Sequence, residues 1–251
     1  MRAPDWLTAR PIAHRGYHDA AAGRVENTLG AAAAAAERGF SIEVDLQRTA
    51  DGEVVVFHDD TVDRLMHGSG RVDTMTLAEL RALRFRDGVE RIPTLAELFA
   101  LVAGAVPLVL ELKSLFDGDR RLEAAVAPIL AAYRGPAVVM SFDPDSMRAM
   151  KRLLPGIPRG LVADAYRKGP DWDFLSPPRR FALRHLLAAP AVQPAFVSYA
   201  IDDLPTFETR LLEAWFGVGL ITWTVRTRAQ REKAKAVGAQ ITFEGFDPDA
   251  A

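Results

Sequence analysis

The sequence predicts an α/β protein built as a TIM-type (β/α)8 barrel, a single domain over residues 1–251. Three observations predict it. Short β-branched runs alternate with longer Ala/Leu-rich runs, the pattern of repeated βα units around a parallel sheet. Eight such strand runs occur, the number that closes a barrel. The length of 251 residues fits one α/β barrel, and no composition shift or low-complexity linker divides it.

Pro11–His14 is the first predicted strand. Residues Glu26–Arg38 read as helix, where the alanine run Ala31–Ala36 lowers the cost of helix formation and packs a thin face onto strands. Gly39 stops that helix, and Ser41–Gln47 is the second strand. Ala50-Asp51-Gly52 signals a turn, so Val54–Phe57 returns as the other arm of a hairpin. A polar loop with Gly68-Ser69-Gly70 follows, within a short insertion after the second strand, from about Thr61 to Arg91. In it, Thr76-Leu77-Ala78-Glu79-Leu80 is a capped helix start, and Pro93-Thr94-Leu95 opens the next helix. From there the units are regular. Strands are expected at Leu108–Leu112, Ala137–Ser141, Arg159–Val162, Phe196–Tyr199, Leu220–Val225 and Ile241–Phe243. Helices fall between them, near Arg120–Ala132, Pro144–Leu153, Pro178–Leu187, Pro205–Trp215 and Arg228–Val237. The chain ends soon after the eighth strand, so a full final helix is not expected.

Composition narrows the function. Hydrophobic residues make up 49% and charged ones 25%, enough to bury a sizeable core. The net charge of -2 is mixed along the chain, so no basic face tracks phosphates and nucleic acid is a poor partner. There is no cysteine, hence no disulfide framework and no thiolate metal site. No signal-type apolar run follows Met1–Arg10 and no run of about 18 apolar residues occurs, which predicts no membrane span and a cytoplasmic protein. Oligomeric state is not legible.

The chemistry-bearing residues cluster at strand ends: His14-Arg15-Gly16, Glu26-Asn27-Thr28, Glu43-Val44-Asp45, Phe57-His58-Asp59 and Glu111-Leu112-Lys113. Glu43 and Asp45 are two apart on a strand and share a face; Glu111 and Lys113 repeat that geometry on the next parallel strand. In a barrel that face is the interior or, near the C-terminal ends, the mouth where active sites form. Carboxylates unpaired there are costly unless a cation or hydrogen bonds compensate the charge. Three oxygen ligands suit Mg²⁺ or Ca²⁺ and not zinc, while the alternative is a buried salt-bridge cluster around Lys113. His14 and His58 end strands beside the carboxylates and can face each other as general base and general acid. The other three histidines read as structural, His18 least securely because it stands four residues past His14. Arg15 can fork onto phosphoryl oxygens, and Gly16 lets the backbone turn and approach a ligand. Thr28 is either a helix cap or part of the site. Trp223 either floors a substrate pocket or packs in the core, and Ser141-Phe142 stands at a strand end within reach of a ligand. Two histidines, three carboxylates and two cations make a kit for hydrolysing a phosphate ester.

In this order the clusters resemble the glycerophosphodiester phosphodiesterase family. The resemblance begins at Ala13-His14-Arg15-Gly16 and continues through Glu26-Asn27-Thr28, Glu43-Val44-Asp45-Leu46 and Val55-Val56-Phe57-His58-Asp59. It runs on through Gly68-Ser69-Gly70-Arg71-Val72 and Ile92-Pro93-Thr94-Leu95-Ala96-Glu97 to Glu111-Leu112-Lys113 and Trp223-Thr224-Val225. It implies a barrel that hydrolyses a small-molecule glycerophosphodiester to glycerol 3-phosphate and an alcohol. It also implies a divalent metal (Mg²⁺ or Ca²⁺) on Glu43, Asp45 and Glu111, His14 and His58 as the acid/base pair, and Arg15 and Lys113 on the phosphate. The family's eighth strand usually ends in Thr-Asp-aromatic-Pro; here Thr242-Phe243-Glu244-Gly245-Phe246 departs from it, which leaves the role of Glu244 open.

Two rival readings stand beside this one. A related barrel phospholipase, of the phosphatidylinositol-specific or sphingomyelinase D-like kind, needs exposed apolar loops at the mouth. Here Gly68–Asp73 and Arg167–Asp173 read as mostly polar, with Trp172 the exception. A non-catalytic barrel that binds a phosphorylated ligand needs a replaced catalytic position, and none is replaced.

Overall fold

A computed structural model describes residues 2–250. In chain order the elements are β1 (Ile12–Ala13), α1 (Leu29–Glu37), β2 (Ser41–Arg48), β3 (Val54–Val56), α2 (Leu77–Ala82), α3 (Leu95–Val102), β4 (Leu108–Leu112), α4 (Arg121–Ala132), β5 (Ala137–Ser141), α5 (Pro144–Leu153), β6 (Arg159–Ala163), α6 (Pro177–Arg184), α7 (Ala189–Val192), β7 (Phe196–Ala200), α8 (Phe207–Phe216), β8 (Gly219–Val225), α9 (Arg228–Ala236) and β9 (Gln240–Phe243). Eight of the nine strands run parallel in the order β1-β9-β8-β7-β6-β5-β4-β2, and β1 pairs with β2 to close the barrel. β3 lies antiparallel on β2, the predicted hairpin.

Alternation along the strands sorts the core. On β2 and β4 the even residues Ile42, Val44, Leu46, Leu108, Leu110 and Leu112 join the large outer cluster under the helices. The odd residues face inward. Val109, with Ile12, Val138, Met140, Val162, Phe196 and Ile221, forms the barrel's inner cluster, against which Leu7 packs from the N-terminal segment. Gly160 makes room for it, since a Cβ there would stand 2.3 Å from the Phe196 ring. Further along, Glu111 on β4 and Lys113 just past its end take the inward positions. The barrel is apolar below and charged at its mouth.

Several boundaries differ from expectation. The first strand shrinks to Ile12–Ala13. The first helix starts at Leu29, with Thr28 as its N-cap accepting from Ala31 N, because Asn27 is held at φ 57 and cannot be helical. The helix expected near Pro178–Leu187 ends at Arg184, and the short α7 after it carries no periodicity by which to predict it. α2 and α3 both start with full capping boxes, Thr76/Glu79 and Thr94/Glu97. The segment after β3 carries its own small core of Phe57, Val62, Met66, Val72, Leu80, Phe85 and Ile92, closed over Val25 and Val55. No helix follows β9 among the described residues, and no helix among them is long and apolar enough to cross a membrane.

Candidate active site

The parallel register of β2 and β4 sets Asp45 opposite Glu111 and Glu43 opposite Val109. Oxygens of Glu43, Asp45 and Glu111 thereby lie within 4.8 Å of one another, and all three residues are buried. Lys113 Nζ donates to Glu111 Oε1 at 2.7 Å and lies 2.9 Å from Asp45 Oδ1. Asn27 clamps Asp45 from both sides: its Nδ2 donates to Oδ2 at 2.8 Å, and Asp45 N donates back to Asn27 Oδ1 at 3.2 Å. The Arg15 backbone N donates to Glu43 Oε2 at 2.9 Å.

The alternative of a self-sufficient salt-bridge cluster fails at Glu43. Lys113 reaches two of the carboxylates, but Glu43 Oε1 is buried with no hydrogen-bond partner. Burial first, then Asp45 and Glu111 beside it, push the Glu43 carboxyl well above its ordinary range. Asp45 goes the other way: burial alone would raise it, but Lys113, His58 and Arg15 outweigh burial and hold it ionised. Lys113 is likewise held charged, since Asp45 and Glu111 overcome the effect of its burial. A buried all-oxygen trio with one oxygen unpartnered fits a hard divalent cation.

His14 Nδ1 pairs with Glu244 Oε2 at 2.8 Å, and its Nε2 lies 4.0 Å from Glu43 Oε2. Burial lowers the His14 pKa despite that bond, and the bond from His14 holds Glu244 down to about 2. The pairing at Nδ1 leaves Nε2 as the nitrogen turned toward Glu43. His58 Nδ1 pairs with Asp59 Oδ1 at 2.7 Å. Arg64 links Asp59 (2.6 Å) to Glu26 (2.7 Å), which in turn accepts from Arg15 Nη1 at 2.6 Å. Gln47 Nε2 donates to the carbonyls of Phe57 and Asp59 on either side of His58.

His14, Arg15, Glu43, Asp45, His58, Glu111, Lys113 and Trp223 all line one cleft of about 850 Å³, open solvent at its mouth included. Trp223 faces that cleft, its Nε1 donating to Ser198 O at 3.2 Å, and packs edge-on against Phe142, which lines the cleft too. Ser198 Oγ and Thr242 Oγ1, also in the cleft, are buried without partners. Gly16 makes its close approach to α1 and not to the cleft: at φ 81, a Cβ would stand 2.8 Å from Ala31. His185 pairs with Glu208. His18 does come near the site, its Nε2 4.0 Å from Glu244 Oε2. Outside the two loops read as polar, Leu115 is 42% and Phe174 62% exposed.

Sequence reasoning gave Asn27 and Asp59 no separate role, left that of Glu244 open, and did not single out Gln47 or Arg64. Asp59 and Asn27 stood inside the quoted clusters, and their adjacency to His58 and to a helix cap was the available signal. Glu244 stood out only as a departure from the family pattern. Gln47, two beyond Asp45 on the same strand face, was visible by parity. Arg64 carried no local signal.

The sequence pattern of the glycerophosphoryl diester phosphodiesterase family matches residues 14–243. A glycerophosphodiester phosphodiesterase of Caldanaerobacter subterraneus subsp. tengcongensis is 33% identical over 239 residues, 90% of either chain. A relative from Bacillus subtilis is 30% identical over the same length and share. Among solved structures, an Oleispira antarctica phosphodiesterase in complex with its product sn-glycerol-3-phosphate superposes with a TM-score of 0.78 at 24% identity, over 95% of this chain and 93% of that one. That last likeness is one of fold.

Proposed function

The chain belongs to the glycerophosphoryl diester phosphodiesterase family and has that family's phosphodiesterase activity, and from this premise we propose that it splits glycerophosphodiesters into glycerol 3-phosphate and an alcohol by paired histidines beside a divalent-cation site. One observation carries the reading: three buried carboxylates, one with an unpartnered oxygen, share a cleft with two histidines that each hold a carboxylate at Nδ1.

The histidines divide the proton work by environment. His14, buried and neutral, takes the proton of the attacking oxygen at Nε2; that oxygen belongs to water or to the neighbouring 2-hydroxyl of glycerol. As the new O–P bond forms, the P–O bond to the alcohol breaks, and His58 Nε2 gives its proton to the departing oxygen. Where the 2-hydroxyl attacks, the cyclic phosphate it forms is then opened by water, His58 taking the water's proton and His14 returning its own to the expelled 2-oxygen. Asp59 stabilises the protonated His58 through Nδ1, as Glu244 stabilises His14 once it is charged. Arg15 and Lys113 border the seat of the phosphate and offset its charge. Glu43, Asp45 and Glu111 would hold Mg²⁺ or Ca²⁺, which supplies Lewis-acid polarisation of a phosphoryl oxygen when bound. Ser198 and Thr242 offer hydroxyls to glycerol near Trp223.

The test is turnover of glycerophosphocholine and glycerophosphoethanolamine by the purified chain, after chelation and with Mg²⁺ or Ca²⁺ restored. Release of glycerol 3-phosphate that depends on added cation is expected. Full turnover in excess chelator by metal-free protein would overturn the cation site, and no turnover with either cation would overturn the substrate assignment. Phospholipid vesicles hydrolysed faster than both esters would favour the phospholipase reading.

A further inference from the structure

Aromatic rings form a continuous array over the C-terminal ends of β4, β5, β6 and β8. Trp223 and Phe142 meet with ring centres 5.4 Å apart, Phe142 and Trp172 at 5.2 Å, and Trp172 and Phe174 at 6.2 Å. Phe116 closes the outer end against Phe174 at 5.8 Å. Its inner members, Trp223 and Phe142, line the catalytic cleft, whereas Phe174, and Leu115 next to Phe116 in sequence, stand exposed. The array thus leads from the phosphate seat to solvent.

Packing alone does not account for it. Rings recruited only to fill a core are buried, yet here the outer end of the array leaves apolar surface in water. Phe116 is also held at φ 59, a left-handed backbone that side chains rarely adopt and that persists where the surroundings force it, commonly at ligand clamps. Trp172 is fixed by donating its Nε1 to Asp164 Oδ2 at 3.0 Å. The rings are pre-positioned.

The occupant follows from size and charge. Glycerol has three carbons and two free hydroxyls, and Ser198 Oγ and Thr242 Oγ1 await hydroxyls in the inner cleft. Glycerol seated there leaves the outer rings uncovered, so these face the other ester arm. The Arg179 guanidinium already sits over Phe116, 5.5 Å from its centroid, which sets like charge against a quaternary ammonium there. On the reading that the chain is a glycerophosphodiester hydrolase, we propose that Phe116, Trp172, Phe174 and Leu115 form the subsite of the leaving alcohol and select one with an apolar chain.

The experiment uses sn-glycero-3-phosphoethanol, -butanol, -hexanol and -octanol below their micelle concentrations, with glycerophosphocholine as the cationic comparison. In the unmodified chain kcat/KM should climb about threefold to fourfold for each methylene taken up, chiefly through KM. Phe174→Asp should flatten that slope. Phe207→Ser, at a ring 74% exposed on α8, should keep it. A flat series, choline outrunning octanol, or an unchanged slope in Phe174→Asp would each overturn the subsite while short esters are still cleaved. If no ester is cleaved, the hydrolase reading falls and takes the subsite with it.

Discussion

Glu244 on the segment leaving β9 is hydrogen-bonded at 2.8 Å to His14 on the segment leaving β1, across 230 positions of sequence. The contact exists because β1 and β9 are neighbours in the closed barrel, with His14 N bonded to Phe243 O. In the proposed mechanism Glu244 is a positioning residue, fixing which nitrogen of His14 is free. Glu244→Ala should lower kcat about tenfold to a hundredfold with KM nearly unchanged, and Glu244→Asp should recover part of it. Equal effects on kcat in Glu244→Ala and Arg226→Ala, whose guanidinium also touches Glu244, would instead point to general loosening.

Stability should fall on acidification in two stages. The His14 pKa is depressed in the fold, so its contribution is complete above about 6.5 and is lost as pH falls through the depressed value. Glu244 is held at about 2 against an ordinary 4.5, so its contribution is complete above 4.5 and disappears as pH falls toward 2. Thermal melts of metal-free protein from pH 8 to pH 3 should show both. Glu244→Gln should remove the lower stage, and a melt insensitive to that change would contradict the pairing.

Proton and cation compete for Glu43, whose carboxyl is raised by burial and by its two acidic neighbours. Cation affinity should therefore tighten as pH rises, with proton release on binding measurable by calorimetry in buffers of different ionisation enthalpy. Glu43→Gln should bind no cation and lose at least about a hundredfold in turnover, yet melt higher than the metal-free parent because a like-charge conflict is gone. A lower melting temperature would show that Glu43 stabilises the empty site.

Either histidine replaced by alanine should cost about 10²–10⁴ in turnover, with circular dichroism unchanged. The pH–rate profile of kcat/KM should be bell-shaped, and each replacement should remove one limb. His18→Ala should cost far less, because His18 reaches Glu244 only at 4.0 Å. A near-parental rate in His14→Ala or His58→Ala removes that residue from the chemistry.

The barrel and the carboxylate trio were legible because both rest on local periodicity: alternation places Glu43, Asp45, Glu111 and Lys113 inward once the strands are recognised. The supporting shell was not. Glu244, Arg64 and Gln47 act through contacts set by barrel closure and by the insertion, which no spacing along the chain encodes. The aromatic array was legible only in single members, Phe142 and Trp172, for a related reason, since Phe116, Trp172 and Phe174 come from two loops that join only in three dimensions. The early start assigned to α1 failed because Asn27 is turned away from helical geometry to hold Asp45.

The small core after β3 gives the two histidines of the proposed mechanism packing of unequal extent. His14 is anchored in the closed barrel, while His58 and Asp59 follow Phe57, a member of the smaller cluster, and reach the barrel through Gln47 and the Phe57 N to Asp45 O bond. So small a cluster offers less resistance to local opening than a closed barrel, so heat should disengage the acid from the base before the sheet itself gives way. The enzyme should then fall silent while still folded by most spectroscopic measures, and recover on cooling, a fuse that trips well below the melting point of the barrel.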